Sequence, residues 1–202
     1  MRAAPFFLLS ALAVLAAASL AAAPQNAPAA AQRPAALPPM RLISKDISDG
    51  KPIAQKYTCA AGAEAVSPAL QWVDAPRGTA SFALIVHDME PRPRKGDDDI
   101  LHWMIWNMPG IANSLPEGVS AASGDLPDGS HQTNGFAGQN GIFGYRPPCP
   151  PQDVPVAHHY AFELFALDEK LDLPEKATRA DLLKAMDGHI IGHATIVSPF
   201  NR

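Results

Sequence analysis

Ser81-Phe82-Ala83-Leu84-Ile85-Val86-His87 is a short apolar run that is followed at once by the turn-forming Asp88-Met89-Glu90-Pro91. Its length and its β-branched and aromatic residues are typical of a buried strand rather than a helix. Similar runs cover residues 101–108, 160–167 and 190–197, and Gly, Pro, Asp or Asn bounds each of them. Several short strands with long proline-rich connections predict a mainly β domain with a β-sandwich-like core.

A helix is predicted near the end of the chain. Thr178 is a good N-cap, and Asp181 stands three residues later in the position of a capping box. Gly188 then ends the helical pattern. Because helical patterns are so few, we expect peripheral helices around a β core and not a parallel α/β sheet.

The N-terminal sequence predicts export. Residues 1–23 have the pattern of a secretory signal peptide, with Arg2, an apolar run over residues 6–20, and small residues for cleavage near Ala22. The alternative is an uncleaved anchor, although the run is shorter than the ~20 residues that span a bilayer. Residues 24–39 are Pro/Ala-rich and predict a disordered tether before a domain over residues 40–202. We therefore expect a periplasmic or secreted protein without a transmembrane anchor after processing.

Charge and cysteine content limit the partners. The formal net charge is −4 and the basic residues are scattered, which argues against nucleic-acid binding. No cofactor motif stands out. Cys59 and Cys149 are the two cysteines of the chain. In an oxidising compartment they can form a disulfide, and the alternative is two separate buried thiols.

Histidines mark the ends of the predicted strands. His87 closes one run, His102 opens the next, and His158 and His159 open the third, with Tyr160 beside them. Strand ends of one sheet can converge on a single cleft. We therefore expect a common pocket for five residues, namely Asp88, Glu90, His102, His158 and Tyr160. The competing interpretation is that these histidines are ordinary packing or surface residues.

Four ordered motifs resemble those of the phosphatidylethanolamine-binding protein family, in particular its bacterial Raf-kinase-inhibitor-like branch. They are Ser67–Trp72, then His87–Glu90 with Leu101–Trp103 and Asn107–Gly110, then Gly144–Pro151 with His158–Leu164, and finally Ala185–Ile191. The resemblance covers nearly all of residues 41–202. It implies an antiparallel β fold with a small pocket for phosphate, phosphorylethanolamine-like or acetate-like groups.

The resemblance also implies which residues form that pocket. The matching positions are Asp88, His102, the Cys149-Pro150-Pro151 loop, His158 and Tyr160. Glu90 stands where the family has a second aspartate, because the family's Asp-Pro-Asp-Ala-Pro is replaced by Asp88-Met89-Glu90-Pro91-Arg92. The role of Glu90 is therefore open.

No arginine or lysine occupies these positions, so the donors to an anion must be imidazole N–H groups, a phenol and loop amides. A free imidazole titrates near ~6.5. We expect anion affinity to fall between about pH 5.5 and 8, as imidazolium is lost. A carboxylate can also accept the ammonium group of a zwitterionic ligand.

Two other functions compete with ligand binding. A metal-dependent hydrolase would use the histidines and carboxylates as ligands, but no metalloprotease or serine-hydrolase motif is present. An inhibitor would act through its surface on a protein partner, for instance in the cell envelope, and a homodimer is a further alternative. We expect a binding protein without catalytic residues, metal or cofactor.

Overall fold

The structure is a computed structural model, and it describes residues 38–90, 99–134, 143–153 and 155–202. The predicted signal peptide, residues 24–37 of the predicted tether and residues 92–98 of the charged stretch lie outside the described residues. Within the described part, eight strands alternate with loops. They are β1 (Arg41–Ile43), β2 (Leu70–Val73), β3 (Ser81–Asp88), β4 (Ile100–Pro109), β5 (Ser114–Leu115), β6 (His131–Thr133), β7 (His158–Leu167) and β8 (Ile190–Phe200).

The strands form two antiparallel sheets. The larger sheet has the order β6-β4-β3-β7-β8 and the smaller has the order β1-β2-β5. The apolar run over residues 81–87 lies in β3, which is at the centre of the larger sheet and is buried over its whole length. The predicted mainly β, antiparallel fold with a helix near the C-terminus is confirmed.

Alternation along β3 divides the core in two. Phe82, Leu84 and Val86 face the cluster that also contains Trp72 of the smaller sheet. The intervening residues Ala83 and Ile85 face the other side, where the helix near the C-terminus packs. Successive residues of a strand point to opposite faces, so β3 serves both cores.

The helix α1 (Arg179–Met186) begins as the sequence predicts. The Thr178 side chain accepts a hydrogen bond from the Asp181 amide, and the Asp181 side chain accepts one from the Thr178 amide. Leu182 and Met186 are its buried residues. Two short 3₁₀ helices, Gln55–Tyr57 and Cys59–Glu64, precede β2. None of the helices in the described ranges combines the length and the apolar character that a bilayer crossing requires.

Candidate functional site

Asp88 ends β3 on the face that points between the two sheets. Its side chain is buried, and its Oδ2 accepts a hydrogen bond from Nδ1 of His158 at 2.7 Å. Its Oδ1 accepts the Glu90 amide at 3.0 Å, which turns the chain sharply after the strand. Because the acceptor is a carboxylate, Nδ1 of His158 carries the proton in this pair.

Tyr160 lies directly opposite Asp88 on the neighbouring strand β7. His158 is two residues earlier on the same strand, so it shares this face, and its ring centroid lies 6.5 Å from that of Tyr160. The candidate site therefore has its carboxylate on one strand, and an imidazole and a phenol on the next.

His102 reaches the same face because β4 contains a bulge. Val86 pairs with Trp103, whereas His87 pairs with Leu101, so His102 is the extra residue in the ladder. A bulge re-aims the side chain at the irregular position. The His102 ring packs edge-on against the Tyr160 ring, with centroids 5.2 Å apart.

A backbone carbonyl fixes the orientation of the His102 ring. Nδ1 of His102 donates to the carbonyl oxygen of Arg146 at 2.8 Å, and the Arg146 amide donates to the carbonyl of His102 at 3.0 Å. A carbonyl oxygen can only accept, so Nδ1 is protonated and the tautomer is set. This pair joins the start of β4 to the loop before β7.

The Cys149-Pro150-Pro151 segment belongs to that loop. Cys149 is bonded to Cys59, with 5.3 Å between their Cα atoms. Pro150 is buried and its carbonyl accepts Nε of Arg202 at 2.8 Å, while Pro151 is exposed. Within the described residues, Arg146, three residues before Cys149, makes the hydrogen bonds between this loop and His102.

The hydroxyl of Tyr160 is the unusual polar group of the site. The residue is fully buried, and no acceptor or donor within the described residues is aligned with its oxygen. Burial raises the pKa of this phenol, and the nearby Asp88 carboxylate raises it further, although the two groups do not form an aligned hydrogen bond. The phenol is therefore neutral and able to donate a hydrogen bond to an added acceptor.

The two carboxylates of the site have different environments. Burial raises the pKa of Asp88, and its bond with His158 opposes that shift without cancelling it. Burial alone would also raise the pKa of Glu90, but the bonds from His159 outweigh burial and lower it. Those bonds come from the amide at 2.5 Å and from Nδ1 at 2.8 Å. Glu90 thus holds the start of β7, and Asp88 is the carboxylate beside the phenol.

The side chains of this site are poorly arranged to bind a metal ion. Oxygen or nitrogen atoms of Asp88, Glu90 and His158 lie within 4.8 Å of one another. However, imidazole groups already donate to both carboxylates, so a cation would have to displace Nδ1 of His158 and compete with His159. His87 is not part of this group.

His87 points to the opposite face of the sheet. Its Nε2 lies 3.1 Å from a Glu163 oxygen, and its Nδ1 lies 2.8 Å from an Asp99 oxygen without the alignment of a hydrogen bond. Arg179 of α1 also contacts Asp99, at 3.3 Å. Strand alternation explains the outcome, because adjacent residues of β3 cannot share a face. His87 therefore belongs to the polar contacts on the face of the larger sheet against which α1 packs.

A surface depression of about 450 Å³ lies elsewhere. Its lining consists of Pro38–Met40, Asp74–Arg77 and Ile191–His193. His193 pairs with Phe165, seven residues along β7 from His158, so the depression lies roughly 23 Å from the site along that strand. Its lining includes Asp74, Arg77 and His193 but no tyrosine, so it lacks the buried phenol found at the His158 end of the sheet.

The sequence could not identify two parts of the site. The bulge at His102 depends on the register between β3 and β4, and the Arg146 contribution is a backbone carbonyl that every residue type possesses. The one usable signal was the run of prolines after Arg146, which predicts a rigid loop.

Known proteins resemble this chain over the same region. The sequence profile of the phosphatidylethanolamine-binding protein family matches residues 43–201. A UPF0098 protein of Methanothermobacter thermautotrophicus is 40% identical over 163 residues, which are 81% of this chain and 99% of that protein. A Mycobacterium tuberculosis protein named as a lipoprotein, LppC, is 35% identical over 80% of this chain and 72% of its own length.

Solved structures agree with the sequence matches. The crystal structure of a phosphatidylethanolamine-binding protein homolog, CT736 from Chlamydia trachomatis, has a TM-score of 0.67 and 35% identity. The similarity covers 81% of this chain and 98% of that one. The profile match, the relatives and this structure show that the chain belongs to the phosphatidylethanolamine-binding protein family.

Proposed function

We propose that the protein is an exported binding protein for a small anionic or zwitterionic ligand of the phosphate or phosphorylethanolamine type. The ligand's anionic group contacts Tyr160 and His158, with His102 beside them. The observation that carries the proposal is the fully buried Tyr160 hydroxyl that lacks a hydrogen-bond partner in the described structure. A buried unpaired hydroxyl costs stability, and a phosphate or carboxylate oxygen supplies the missing acceptor.

Charge in the site favours a zwitterion over a simple anion. The imidazole groups provide donors, but the Asp88 carboxylate lies beside the phenol and repels a second negative charge. An ammonium group on the ligand would lie near Asp88 and offset that repulsion. Phosphoethanolamine carries a negative phosphate and a positive ammonium group a short distance apart, whereas inorganic phosphate carries negative charge only.

The environments of two potential nucleophiles, Cys149 and Ser67, favour a binding function over nucleophilic catalysis. Cys149 is bonded to Cys59 and does not offer a thiolate. The Ser67 hydroxyl accepts a hydrogen bond from the Val119 amide at 2.9 Å. Neither group lies beside a histidine base in the way that a nucleophilic mechanism requires.

The proposal of export rests on residues 1–23 and on the disulfide. The N-terminal segment has the composition of a signal peptide, and disulfides form and persist in oxidising compartments. The relative LppC is named as a lipoprotein, which agrees with a place in the cell envelope. Fractionation of cells that express the full chain tests this, with the mature protein expected outside the cytoplasm.

Isothermal titration calorimetry with phosphoethanolamine, phosphate and acetate tests the binding proposal. We expect measurable affinity in the wild type and strong loss in His158→Ala and Tyr160→Phe. A matched control is His131→Ala, because His131 forms the same kind of Asp–His pair, at 2.7 Å from Asp125, elsewhere on the molecule. If none of the three ligands binds, or if His131→Ala weakens binding as much as His158→Ala, the proposed function is wrong.

A second candidate function is contact with a protein partner at the rim of the site. Met89 follows Asp88 directly and is 45% exposed, and Val156 lies two residues before His158 and is 62% exposed. Exposed apolar side chains beside a binding site can mark an interaction surface. Serine at both positions should abolish capture of an envelope partner while leaving phosphoethanolamine affinity unchanged, and joint loss of both would count against a separate surface.

A further inference from the structure

The segment Tyr145–Pro151, called here the proline loop, has few ways to hold its position. Four of its seven residues are prolines, at positions 147, 148, 150 and 151. A proline has no backbone N–H, so these residues cannot donate the hydrogen bonds that usually anchor a loop. The proline loop must therefore be held by its carbonyl groups, its remaining side chains, the few amides of its other residues and covalent links.

Three links fasten the proline loop to one short segment, Tyr57–Cys59. The Tyr145 hydroxyl donates to the Tyr57 carbonyl at 2.8 Å. The Cys59 amide donates to the Pro148 carbonyl at 3.0 Å. The third link is the Cys59–Cys149 disulfide, which spans 90 residues of sequence. The disulfide is the covalent link of the three, and the other two are hydrogen bonds.

The same loop holds an imidazole of the binding site. Arg146 exchanges two backbone hydrogen bonds with His102, one to the ring and one to the main chain. Arg146 lies between Tyr145 and Pro148, so it is positioned by the links on either side of it. A shift of the loop would move the carbonyl that sets the His102 ring.

The disulfide is open to reagents in solution. Cys149 is exposed and Cys59 is half-buried, so a small thiol or a dithiol protein can reach the bond. Buried structural disulfides exclude such attack, whereas accessible ones are the type that exchanges.

We propose that the redox state of Cys59–Cys149 controls ligand affinity at the His102 side of the site. This inference rests on the proposed binding function. A dithiol reductant, of the class that thiol–disulfide oxidoreductases provide, attacks one sulfur and forms a mixed disulfide. Its second thiol then resolves that bond. Two electrons and two protons pass to the protein, which becomes a pair of thiols, while the reductant becomes a disulfide. The proline loop then loses its covalent link to Tyr57–Cys59 and keeps the two hydrogen bonds to that segment and the bond from Arg202 to Pro150. With that link gone, the Arg146–His102 pair loosens.

The test compares oxidised and reduced protein with phosphoethanolamine as the probe. Calorimetry is done on the mature protein before and after treatment with a phosphine reductant, with free thiols counted by mass spectrometry after alkylation. We expect the reduced protein to bind about fivefold more weakly, the factor that corresponds to the net worth of roughly one hydrogen bond. The Cys59→Ser/Cys149→Ser double variant should show the weaker affinity with or without reductant.

A second readout needs no ligand. The exchange rate of the Arg146 amide, which donates to His102, is measured by hydrogen–deuterium exchange with NMR detection in both redox states. We expect faster exchange in the reduced protein. Thr178→Ala serves as the control for a general loss of stability, since it removes the cap of α1 and should change neither phosphoethanolamine affinity nor Arg146 exchange beyond a small global effect.

The outcomes separate the two proposals. If phosphoethanolamine binds equally well in both redox states, with both thiols confirmed free, this inference is wrong and the binding function stands. If neither state binds any ligand but Arg146 exchange still responds to reduction, the binding function is wrong and the mechanical coupling stands. A reduced protein that has lost its native near-UV circular dichroism would also overturn the inference, because it requires a folded reduced state.

Discussion

Tyr160 lies opposite Asp88 in the β3–β7 ladder with its hydroxyl fully buried and without an aligned hydrogen-bond partner in the described residues. An unsatisfied buried hydroxyl costs about 1–3 kcal/mol. The fold therefore carries a local energetic cost at the place where the strands of the larger sheet bring together a carboxylate and two imidazoles. Such a cost is expected where a ligand completes the hydrogen bonding.

Tyr160→Phe should raise the stability of the ligand-free protein while weakening ligand binding. Removing the unpaired hydroxyl abolishes its desolvation cost, so the free energy of unfolding should rise by about 1 kcal/mol. Urea unfolding measures the first effect and calorimetry with phosphoethanolamine the second.

The matched control is Tyr57→Phe. The Tyr57 hydroxyl is bonded to Asp46 at 2.8 Å and to Glu117 at 2.6 Å, so its removal should lower stability and leave ligand affinity unchanged. Equal destabilisation by the two substitutions would show that the Tyr160 hydroxyl is satisfied in solution.

Asp88→Asn should change which ligand is preferred. The substitution removes the negative charge that attracts an ammonium group and repels a simple anion. We expect the ratio of phosphoethanolamine affinity to phosphate affinity to fall by about tenfold, the effect of losing one charge-assisted contact.

Asp125→Asn is the control for this substitution, because Asp125 and His131 form an Asp–His pair of the same length at the surface. An unchanged ligand ratio in Asp88→Asn would show that no ammonium group lies near this carboxylate.

Glu163 should make the stability of the protein sensitive to acid. Its bond with His87 lowers the pKa of Glu163 in the folded state, below the ordinary value of 4.5 that applies in the unfolded chain. At a pH between the folded-state and the unfolded-state pKa of Glu163, the unfolded state therefore binds more protons than the folded state. The stabilisation is therefore complete above about pH 4.5 and is lost as the pH falls through the folded-state pKa.

The measurement is urea unfolding between about pH 3 and pH 7, the range that spans the titration of a glutamate. Glu163→Gln should lower stability by about 1–3 kcal/mol at neutral pH, since the buried His87 loses a charged acceptor. It should also reduce the loss of stability on acidification. A variant that keeps the full acid-induced loss would place the responsible group elsewhere.

Reduction of the disulfide should lower stability strongly. A bond that closes a loop of this size, with 90 residues of separation, is worth about 4–5 kcal/mol through the unfolded state. Denaturant unfolding with and without reductant measures the loss, and Cys59→Ser/Cys149→Ser should reproduce it. A loss below about 1 kcal/mol would indicate that the two cysteines are not bonded in the native protein.

The fold was predictable because local signals agreed with one another. The apolar run that became β3 was bounded by turn residues, and the Thr178–Asp181 capping box marked the start of α1. The pairing of strands was not predictable from these signals alone. Register depends on partners far away in the sequence, and the motif resemblance supplied the antiparallel arrangement instead.

The site was predictable by residue type and not by geometry. Asp88, His102, His158 and Tyr160 do lie at neighbouring strand ends, but His87 faces α1 because it is adjacent to Asp88 on the same strand. The bulge that brings His102 to the Tyr160 side has no local sequence signal. The Arg146 carbonyl could not be found at all, since a backbone group leaves no mark on residue type.

A crystal structure of the mature protein soaked with phosphoethanolamine would show whether the ligand binds at Tyr160. We expect a phosphate oxygen at about 2.7 Å from the Tyr160 hydroxyl, the usual length of such a bond, with a second oxygen facing His158. We also expect the ammonium group beside Asp88. Ligand density in the depression lined by Pro76 and His193, with water or nothing at Tyr160, would contradict the proposed binding at Tyr160.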